Sequence, residues 1–474
     1  MLSRLLLTGT RPRAQLSTWA LLVVLLAFPA AASASSTQSL TFEAPRELLD
    51  PSTRDRTLEE IRDFGVDRVR VLVYWRDFAP SARSKRRPAF DAADPAAYPA
   101  GTWDRLDALF ESAGARGVAV QLTLTGPVPK WATARKRDTV TKPSPKEFKA
   151  FATAVGRRFG DRVGLWSIWN EPNHPQFLRP QFVNKRARSP RIYRRLFLAG
   201  QRGLRASGNG ADTLLFGETA PRGTPRVVAP LAFLRGALCL KRSYKRKGKC
   251  RRVSAGGFAH HAYTTRVGPR FTPPDRDDVT IGVISRLTRA LDRAGRAGAI
   301  ARGLGIYLTE FGIQSTPDPF VGVSLARQAE YLGIAEHMAY VNPRVKSFSQ
   351  YLLHDDRPRK GSRFERYSGF ESGLRRSDGR PKPSYDAFRL PLAAERVGRS
   401  DVLWGRVRPS PARTQVTILV SPRKGRAFRA LRTIATNGRG VFGLRTKHRK
   451  QQRYRVQWTG PDGRVWRGPP IRPI

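Results

Sequence analysis

Two glutamates attract attention because each ends a short apolar segment. Glu171 stands in the run Trp-Asn-Glu-Pro-Asn at 169–173, and Glu310 closes the segment Gly305–Glu310. Two carboxyl groups on either side of one bond can divide acid–base work, since one donates a proton to a leaving oxygen while the other attacks or activates water. Glycosidic bond hydrolysis needs such a pair. The alternative is two buried glutamates held in structural salt bridges.

The elements that would bring these glutamates together form a repeating pattern. Short apolar segments alternate with amphipathic helical patterns, which favours a parallel α/β fold. Eight such segments predict a (β/α)8 TIM barrel of about 350 residues, whose active site would lie at the carboxyl ends of the strands. Glu171 would then end strand four and Glu310 strand seven. The eight segments are residues 40–43, 69–74, 118–124, 163–169, 214–217, 257–263, 305–310 and 347–353.

The clearest helix lies between the third and fourth predicted strands. Ser144 is a suitable N-cap and Pro145 fits a first helical turn. Apolar residues then recur at helical spacing as far as Phe159, and Gly160 ends the pattern. We expect this stripe to face the sheet.

Residues 169–173 resemble the acid/base motif of a large clan of retaining (β/α)8 glycoside hydrolases, which includes the family 5 cellulases and family 39 β-xylosidases. In that clan an Asn-Glu pair ends strand four and a nucleophilic Glu ends strand seven. The resemblance therefore implies that Glu171 is the general acid/base and Glu310 the nucleophile. It also implies that Asn170 hydrogen-bonds a sugar 2-hydroxyl. It implies no metal and no cofactor.

Two further segments resemble the same clan. Arg70 lies on the second predicted strand, five residues before Trp75, and would hold Glu310 ionised. His261-Ala262-Tyr263 resembles a His-x-Tyr segment at the end of strand six. By this resemblance Tyr263 would hydrogen-bond the nucleophile and His261 would line the sugar site, while the adjacent His260 would point to the other side of the strand.

The sugar platform is the weakest part of the resemblance. Many clan members carry a Trp on strand eight, where this chain offers Gln350 or Tyr351. Trp131 and Trp75 are candidates for stacking on a pyranose, with ordinary packing as the alternative. Glu218 ends strand five, and either contacts a sugar hydroxyl or supports the residues that do.

The pattern changes after Leu392. Short strand candidates separated by Gly, Pro and Asn-Gly turns predict a small all-β sandwich. We therefore expect a catalytic domain at 35–395, a linker around 393–400 and an accessory sandwich at 396–474. Trp404, Trp458 and Trp466 fit a core better than a sugar platform. The strand candidates are residues 402–407, 414–420, 428–435, 441–444 and 454–458.

The amino terminus predicts export. Arginines precede an apolar stretch at 19–28, and Ala-Ser-Ala at 32–34 suits cleavage, so residues 1–34 have the form of a signal peptide. A retained anchor is the alternative, and no later segment is apolar enough to cross a membrane. In an exported protein, Cys239 and Cys250 would form one disulfide rather than two free thiols. We expect a secreted or cell-surface protein, and a monomer.

The charge balance is extreme, with 87 Lys and Arg against 37 Asp and Glu. Basic residues occur along the whole chain without a nucleic-acid motif, which argues against a specific nucleic-acid partner. An anionic cell-envelope polymer or acidic polysaccharide is a better candidate. A solvated basic surface without a partner is the plain alternative. The rival to a hydrolase acting on a β-linked polysaccharide or oligosaccharide is a non-catalytic carbohydrate- or polyanion-binding envelope protein on a barrel scaffold.

Overall fold

The fold is taken from a computed structural model that describes residues 35, 37–409 and 412–474. The predicted signal peptide at 1–34 lies outside the described residues. Eight parallel strands close into a barrel in the spatial order β1-β8-β7-β6-β5-β4-β3-β2. They are β1 (Ser39–Glu43), β2 (Arg68–Tyr74), β3 (Ala119–Thr125), β4 (Leu165–Ile168), β5 (Thr213–Thr219), β6 (Gly257–His261), β7 (Gly305–Glu310) and β8 (Val345–Tyr351).

The (β/α)8 prediction is confirmed, with strand ends displaced by a few residues. Alternation along β2 explains how the barrel positions its polar groups. Val69, Val71 and Val73 are buried in the main hydrophobic core, while Arg70 makes its polar contacts across the barrel interior. The alternation of β2 therefore directs the charged side chain of Arg70 into the barrel interior and its valine neighbours into the surrounding core.

Helices surround the barrel. The helix predicted between the third and fourth strands is confirmed. Ser144 caps the helix Pro145–Phe159 by accepting a hydrogen bond from the Glu147 N–H. Among the described helices, none combines the length and apolar composition that a membrane span requires. The helices are α1 (Pro45–Leu49), α2 (Arg54–Asp63), α3 (Trp75–Phe78), α4 (Asp104–Gly114), α5 (Pro145–Phe159), α6 (Ser189–Ala206), α7 (Pro230–Ala237), α8 (Ser285–Arg296), α9 (Leu325–Tyr340), α10 (Arg363–Arg366) and α11 (Pro383–Arg389).

The carboxyl-terminal region is a sandwich of two antiparallel sheets, as predicted, in the orders β9-β10-β13 and β12-β11-β14-β15. The predicted linker around 393–400 is wrong, because Leu392–Val397 is a strand paired with Ser400–Arg406 through a turn at Gly398. The predicted boundary at 395/396 falls inside this strand. The strands are β9 (Leu392–Val397), β10 (Ser400–Arg406), β11 (Gln415–Ser421), β12 (Arg429–Ala435), β13 (Val441–Lys447), β14 (Arg453–Thr459) and β15 (Val465–Arg467).

The sandwich packs directly on the barrel helix α9. Trp404 is buried beside Ile334 and stacks on the His337 ring at a centroid distance of 5.1 Å. Trp458 lies in the sandwich core, and two arginine guanidinium groups cover Trp466. The three tryptophans are therefore occupied by protein contacts, in line with the prediction that they serve packing.

A disulfide joins Cys239 to Cys250, as predicted, with their Cα atoms 6.2 Å apart. It closes the loop between α7 and β6, and Arg246 ties this loop to the barrel by donating to the Gly298 carbonyl at 3.1 Å. This loop carries the densest basic run of the sequence, residues 241–252, which is thus held against the barrel.

Candidate active site

Arg70 organises the carboxyl ends of the barrel strands. Its guanidinium is fully buried, and it donates hydrogen bonds to side chains from five other strands or strand ends. Since Arg presents donors in a fixed planar fork, these contacts set the positions of several carboxylates at once. The acceptors are Thr123 Oγ1 (3.0 Å), Glu43 Oε2 (3.0 Å), Glu310 Oε1 (2.8 Å), Asn170 Oδ1 (2.9 Å) and Glu218 Oε2 (3.1 Å).

The buried carboxylates around Arg70 titrate differently. Burial opposes ionisation of Glu218, but the Arg70 charge and a hydrogen bond from His261 lower its pKa to about 2. Burial dominates at Glu43 and raises its pKa to about 8, even though Arg70 works in the opposite direction. The nearby carboxylates also raise the pKa of Arg70 despite its burial. Arg70 therefore stays charged while two of its carboxylate neighbours, Glu43 and Glu218, differ in protonation.

The motif at 169–173 turns sharply as it leaves β4. Trp169 and Glu171 have left-handed backbone, with φ of 73° and 38°. Such conformations are costly for residues with side chains and cluster at functional sites. The Asn170 N–H donates to Thr125 Oγ1 at 2.9 Å, and the Asn173 side chain donates to the carbonyls of Ala220 and Val228. These contacts hold the turn so that Glu171 faces the barrel mouth.

Glu171 and Glu310 are the carboxylates of this group that reach solvent. Their side chains are 18% and 9% exposed, against 2% for Glu43 and none for Glu218. One oxygen of Glu171, one of Glu310 and one ring nitrogen of His261 lie within 4.8 Å of one another. A small cation would need such donors, but the hydrogen bond of His261 Nδ1 with Glu171 and its 3.3 Å ion pair with Glu310 already account for their spacing. The two exposed carboxylates are thus close enough to act on one bound group.

His261 links the two sides of this network. Its Nδ1 lies 2.9 Å from Glu171 Oε1 and its Nε2 lies 2.8 Å from Glu218 Oε2. The ring is fully buried, so the expectation that His261 lines the sugar site is corrected: it lies behind Glu171. His260 points the other way, as predicted, with its ring nitrogens against Thr219 Oγ1 and the Val279 carbonyl.

The pKa values of His261 and Glu171 show which of the two groups carries the proton. Burial opposes a charged imidazole, but Glu310, Glu171 and Glu218 together raise the pKa of His261 to about 10. Burial would raise the pKa of Glu171, yet its hydrogen bond and charge interaction with His261 lower it. Near neutral pH the proton of this pair therefore resides on the imidazole, one hydrogen bond away from Glu171.

Glu218 belongs to the supporting network. It is fully buried with φ of 49°, and Thr309 Oγ1 donates to it at 2.7 Å, in addition to Arg70 and His261. Of the two interpretations left open by the sequence, contact with a sugar hydroxyl is contradicted because no part of the side chain is exposed. Glu218 supports the residues that face the mouth.

Aromatic side chains form one wall of the mouth. Tyr263 donates a hydrogen bond to Glu310 Oε2 at 3.2 Å, as the clan resemblance implied. Tyr351 is half-buried and stands edge-on to Tyr263, whereas Gln350 is fully buried and donates to backbone carbonyls. Of the two strand-eight candidates for a sugar platform, Tyr351 is therefore the one whose side chain lies at the mouth.

The two tryptophans proposed for stacking are not at the mouth surface. Trp75 is 1% exposed and stacks on Phe151 within the helix layer. Trp131 is 5% exposed, stands edge-on to Trp75 and donates its indole N–H to the Pro80 carbonyl. Both predictions of a sugar contact are wrong because the rings turn toward α5.

Two residues of this site were missed in the sequence. Glu43 ends β1 and contacts Arg70, so the rule that selected other strand-end residues would have found it. Phe370 lies in the loop after β8, 37% exposed, with its ring 4.9 Å from Tyr351 and 6.2 Å from Tyr263. Its backbone exchanges two 2.8 Å hydrogen bonds with Asp356, which fixes the ring at the mouth. No local pattern marks it.

Comparison with known proteins finds similarity in structure but none in sequence. No family model and no curated protein sequence matches the chain. A family 39 glycoside hydrolase from Bacteroides cellulosilyticus WH2 is similar in structure, with 16% identity, a TM-score of 0.51, and coverage of 88% of this chain and 80% of that one. A monomeric β-xylosidase from Caulobacter crescentus CB15 gives 15% identity and a TM-score of 0.49 over 91% and 96%.

These likenesses define the class of fold. The chain is a (β/α)8-barrel protein followed by a β-sandwich, and the family 39 structure shares its fold over most of both chains. The predicted resemblance to the barrel glycoside hydrolases is thus confirmed for the fold. Activity has to be argued from the site, because one fold hosts many functions.

Proposed function

We propose that this chain is an exported retaining glycoside hydrolase acting on a β-linked polysaccharide or oligosaccharide. The observation that carries the proposal is the spacing of the two solvent-reaching carboxylates, whose nearest oxygens lie within 4.8 Å. Retaining enzymes hold their carboxyl groups about 5–5.5 Å apart, whereas inverting enzymes leave about 6.5–9.5 Å for a water. Export is proposed from the form of residues 1–34.

In the first step Glu310 attacks the anomeric carbon as the glycosidic bond breaks. Arg70 and Tyr263 hydrogen-bond separate oxygens of Glu310, which orients the carboxylate. The leaving oxygen needs a proton, which Glu171 donates. His261 Nδ1 lies 2.9 Å from Glu171 and holds the proton that Glu171 needs. A covalent glycosyl ester on Glu310 results.

In the second step water releases the sugar. Glu171, now ionised, takes a proton from a water that attacks the anomeric carbon, and the ester bond to Glu310 breaks. Between the two steps His261 is a neutral imidazole, because its proton has left through Glu171 with the departing oxygen; the proton that Glu171 takes from water returns across the 2.9 Å contact and restores the imidazolium. The product keeps the anomeric configuration of the substrate.

Asn170 and Phe370 are proposed to contact the sugar. Asn170 Oδ1 accepts from Arg70, which orients the amide and leaves its Nδ2 donor for a sugar 2-hydroxyl. Phe370 offers a partly exposed ring beside Tyr263, suited to the C–H face of a pyranose. It takes over the stacking role that the sequence had suggested for Trp75 and Trp131.

Rescue by azide tests the nucleophile. Glu310→Ala should lose activity on aryl β-glycosides, and sodium azide should restore turnover as a glycosyl azide of inverted anomeric configuration, since the small anion fits the vacated carboxylate position. Glu336→Ala, a buried glutamate at the junction with the sandwich, is the matched control and should show no azide effect. Normal turnover by Glu310→Ala without azide would overturn the assignment.

The rival is a non-catalytic carbohydrate-binding protein on the same barrel. Screening β-glucan, xylan, mannan and galactan separates the two, because the proposed enzyme releases reducing ends from at least one of them. Binding without hydrolysis by the unaltered chain would favour the rival.

A further inference from the structure

A second concave site lies beside the disulfide-closed loop. A cavity of about 580 Å³ is bordered by α7, by the loop at 239–250, by the loop after β6 and by α8. Its lining includes six arginines and a single carboxylate. The arginines are Arg235, Arg242, Arg276, Arg286, Arg289 and Arg293, and the carboxylate is Asp277.

This excess of positive charge is local rather than a reflection of overall composition. A cavity of about 610 Å³ near Arg46 is lined by three arginines and three carboxylates. Another of about 370 Å³ near Arg327 has three arginines, a histidine and one glutamate. A third, near Arg87, has three basic residues and one glutamate. In these three cavities, therefore, carboxylates balance the basic residues more closely than in the cavity beside the disulfide loop.

Three of the arginines are held in place by protein contacts. Arg235 makes a two-point ion pair with Asp277 at 2.8 and 2.5 Å. Arg293 lies over the Tyr244 ring at 4.3 Å and donates to the Ser243 carbonyl, which ties α8 to the disulfide loop. Arg286 donates to the carbonyls of Pro273, Asp275 and Asp278. Contacts within the protein thus position these three arginines without a ligand.

The other three arginines have donors to spare. Arg242, Arg276 and Arg289 are exposed and have no ion pair or hydrogen bond from their side chains within the described residues. Guanidinium groups present paired donors that match a carboxylate or a phosphate in two-point contacts. Three such groups around one cavity suit a ligand that carries several anionic groups.

We propose that this arginine cavity binds an acidic, carboxylate-bearing polysaccharide. Nucleic acid is the less suitable occupant, because single strands bind through exposed aromatic platforms. The aromatic residue that lines this cavity, Tyr244, is 7% exposed and covered by Arg293 and Arg235. The choice of a glycan rests in part on the proposed function, whereas the anionic chemistry rests on the cavity alone.

A charge-reversal experiment tests the site. The parent is the full chain carrying Glu310→Ala, so that binding is measured whether or not the chain hydrolyses glycans. Arg242→Glu, Arg276→Glu and Arg289→Glu are combined in one variant. Arg56→Glu, Arg105→Glu and Arg202→Glu form the matched control, since these exposed arginines lie on α2, α4 and α6 and change the net charge equally. A triple Gln variant of the cavity serves if the Glu variant fails to fold.

Binding is measured to polygalacturonate, neutral dextran and a single-stranded oligonucleotide across a salt series. We expect the cavity variant to lose polygalacturonate affinity by more than about tenfold, with a shallower salt dependence, and the control variant to lose about twofold. Dextran should not bind. Equal losses in both variants, or no polygalacturonate binding by the parent, would overturn the proposal. Tighter oligonucleotide binding through the same three arginines would replace the glycan by nucleic acid.

Discussion

Arg70 at the barrel mouth and Arg408 at the junction with the sandwich are both almost fully buried, but their surroundings differ. Arg408 donates to one carboxylate, that of Glu336, and to the Phe388 carbonyl, and it lies over the Phe388 ring. Arg70 contacts three carboxylates, one of which reaches solvent. Burial lowers the pKa of Arg408 to about 10, whereas its carboxylate neighbours raise that of Arg70.

The difference separates a structural from a chemical use of buried charge. At the junction a single carboxylate, that of Glu336, meets Arg408 and, at 3.9 Å, Arg406, so these ion pairs fix how the domains pack. At the mouth, acidic groups outnumber cations, and His261 shares protons with them. A surplus of carboxylates with unequal pKa values is what acid–base chemistry needs. Matched substitutions at the mouth and at the junction test this difference.

The largest expected effect separates Glu171 from Glu336. Glu171→Gln should lower kcat/KM by about 10³-fold on glycosides with poor leaving groups, because the proton donor is lost. The loss should shrink on dinitrophenyl glycosides, whose leaving group needs no proton. Glu336→Gln should leave kcat/KM unchanged in the same assays. Equal losses on both kinds of substrate would remove Glu171 from the acid role.

Replacing the two arginines should separate stability from activity. Arg70→Met and Arg408→Met should each lower the free energy of unfolding by about 3–5 kcal/mol, since each removes the arginine that donates to buried carboxylates. Assayed where both variants are folded, only Arg70→Met should lose activity, by roughly 100-fold. Arg70→Lys keeps the charge without the planar fork and serves if Arg70→Met does not fold. Full activity in Arg70→Met would show that Arg70, like Arg408, serves only packing.

Histidines at the two places should differ in their effect on the pH profile. With His261 present, the Glu171–His261 pair keeps its proton until the pKa of about 10 is approached, so the basic limb of kcat/KM lies at high pH. In His261→Gln the proton must reside on Glu171 alone, a carboxyl that loses it at lower pH. The basic limb should therefore move to lower pH by more than about one unit. His337→Gln at the junction should leave the limb in place; an unmoved limb in His261→Gln would refute the proton-holding role.

The smallest effect concerns Phe370, beside the aromatic wall of the mouth. Phe370→Ala should raise KM by about fivefold with little change in kcat, as expected for roughly 1 kcal/mol of stacking that is present before and during reaction. Phe370→Tyr keeps the ring and should behave like the unaltered chain. A fall in kcat with unchanged KM would show that Phe370 acts on the bond-breaking step instead.

Local patterns predicted much of this molecule. The barrel strands alternate with helices in the sequence itself, so Glu171 and Glu310 could be assigned to strand ends from the order of the residues alone. The direction in which Trp75 and Trp131 turn was not accessible, because a tryptophan after a strand looks the same whether its ring enters the mouth or the helix layer. Strand Leu392–Val397 was missed because it contains few β-branched residues, and pairing with Ser400–Arg406 stabilises it. The contact of Phe370 with Tyr263 joins residues far apart in the chain, so no local signal reveals it.

Trapping the covalent intermediate tests whether Glu310 is the nucleophile. The full chain is incubated with a 2-deoxy-2-fluoro β-glycoside bearing a good leaving group, digested, and its peptides sequenced by mass spectrometry. We expect one added fluorosugar on the side chain of Glu310, and faster labelling than in Arg70→Lys. A label on Glu171, or product formed with inverted configuration and no label on any residue, would contradict this expectation.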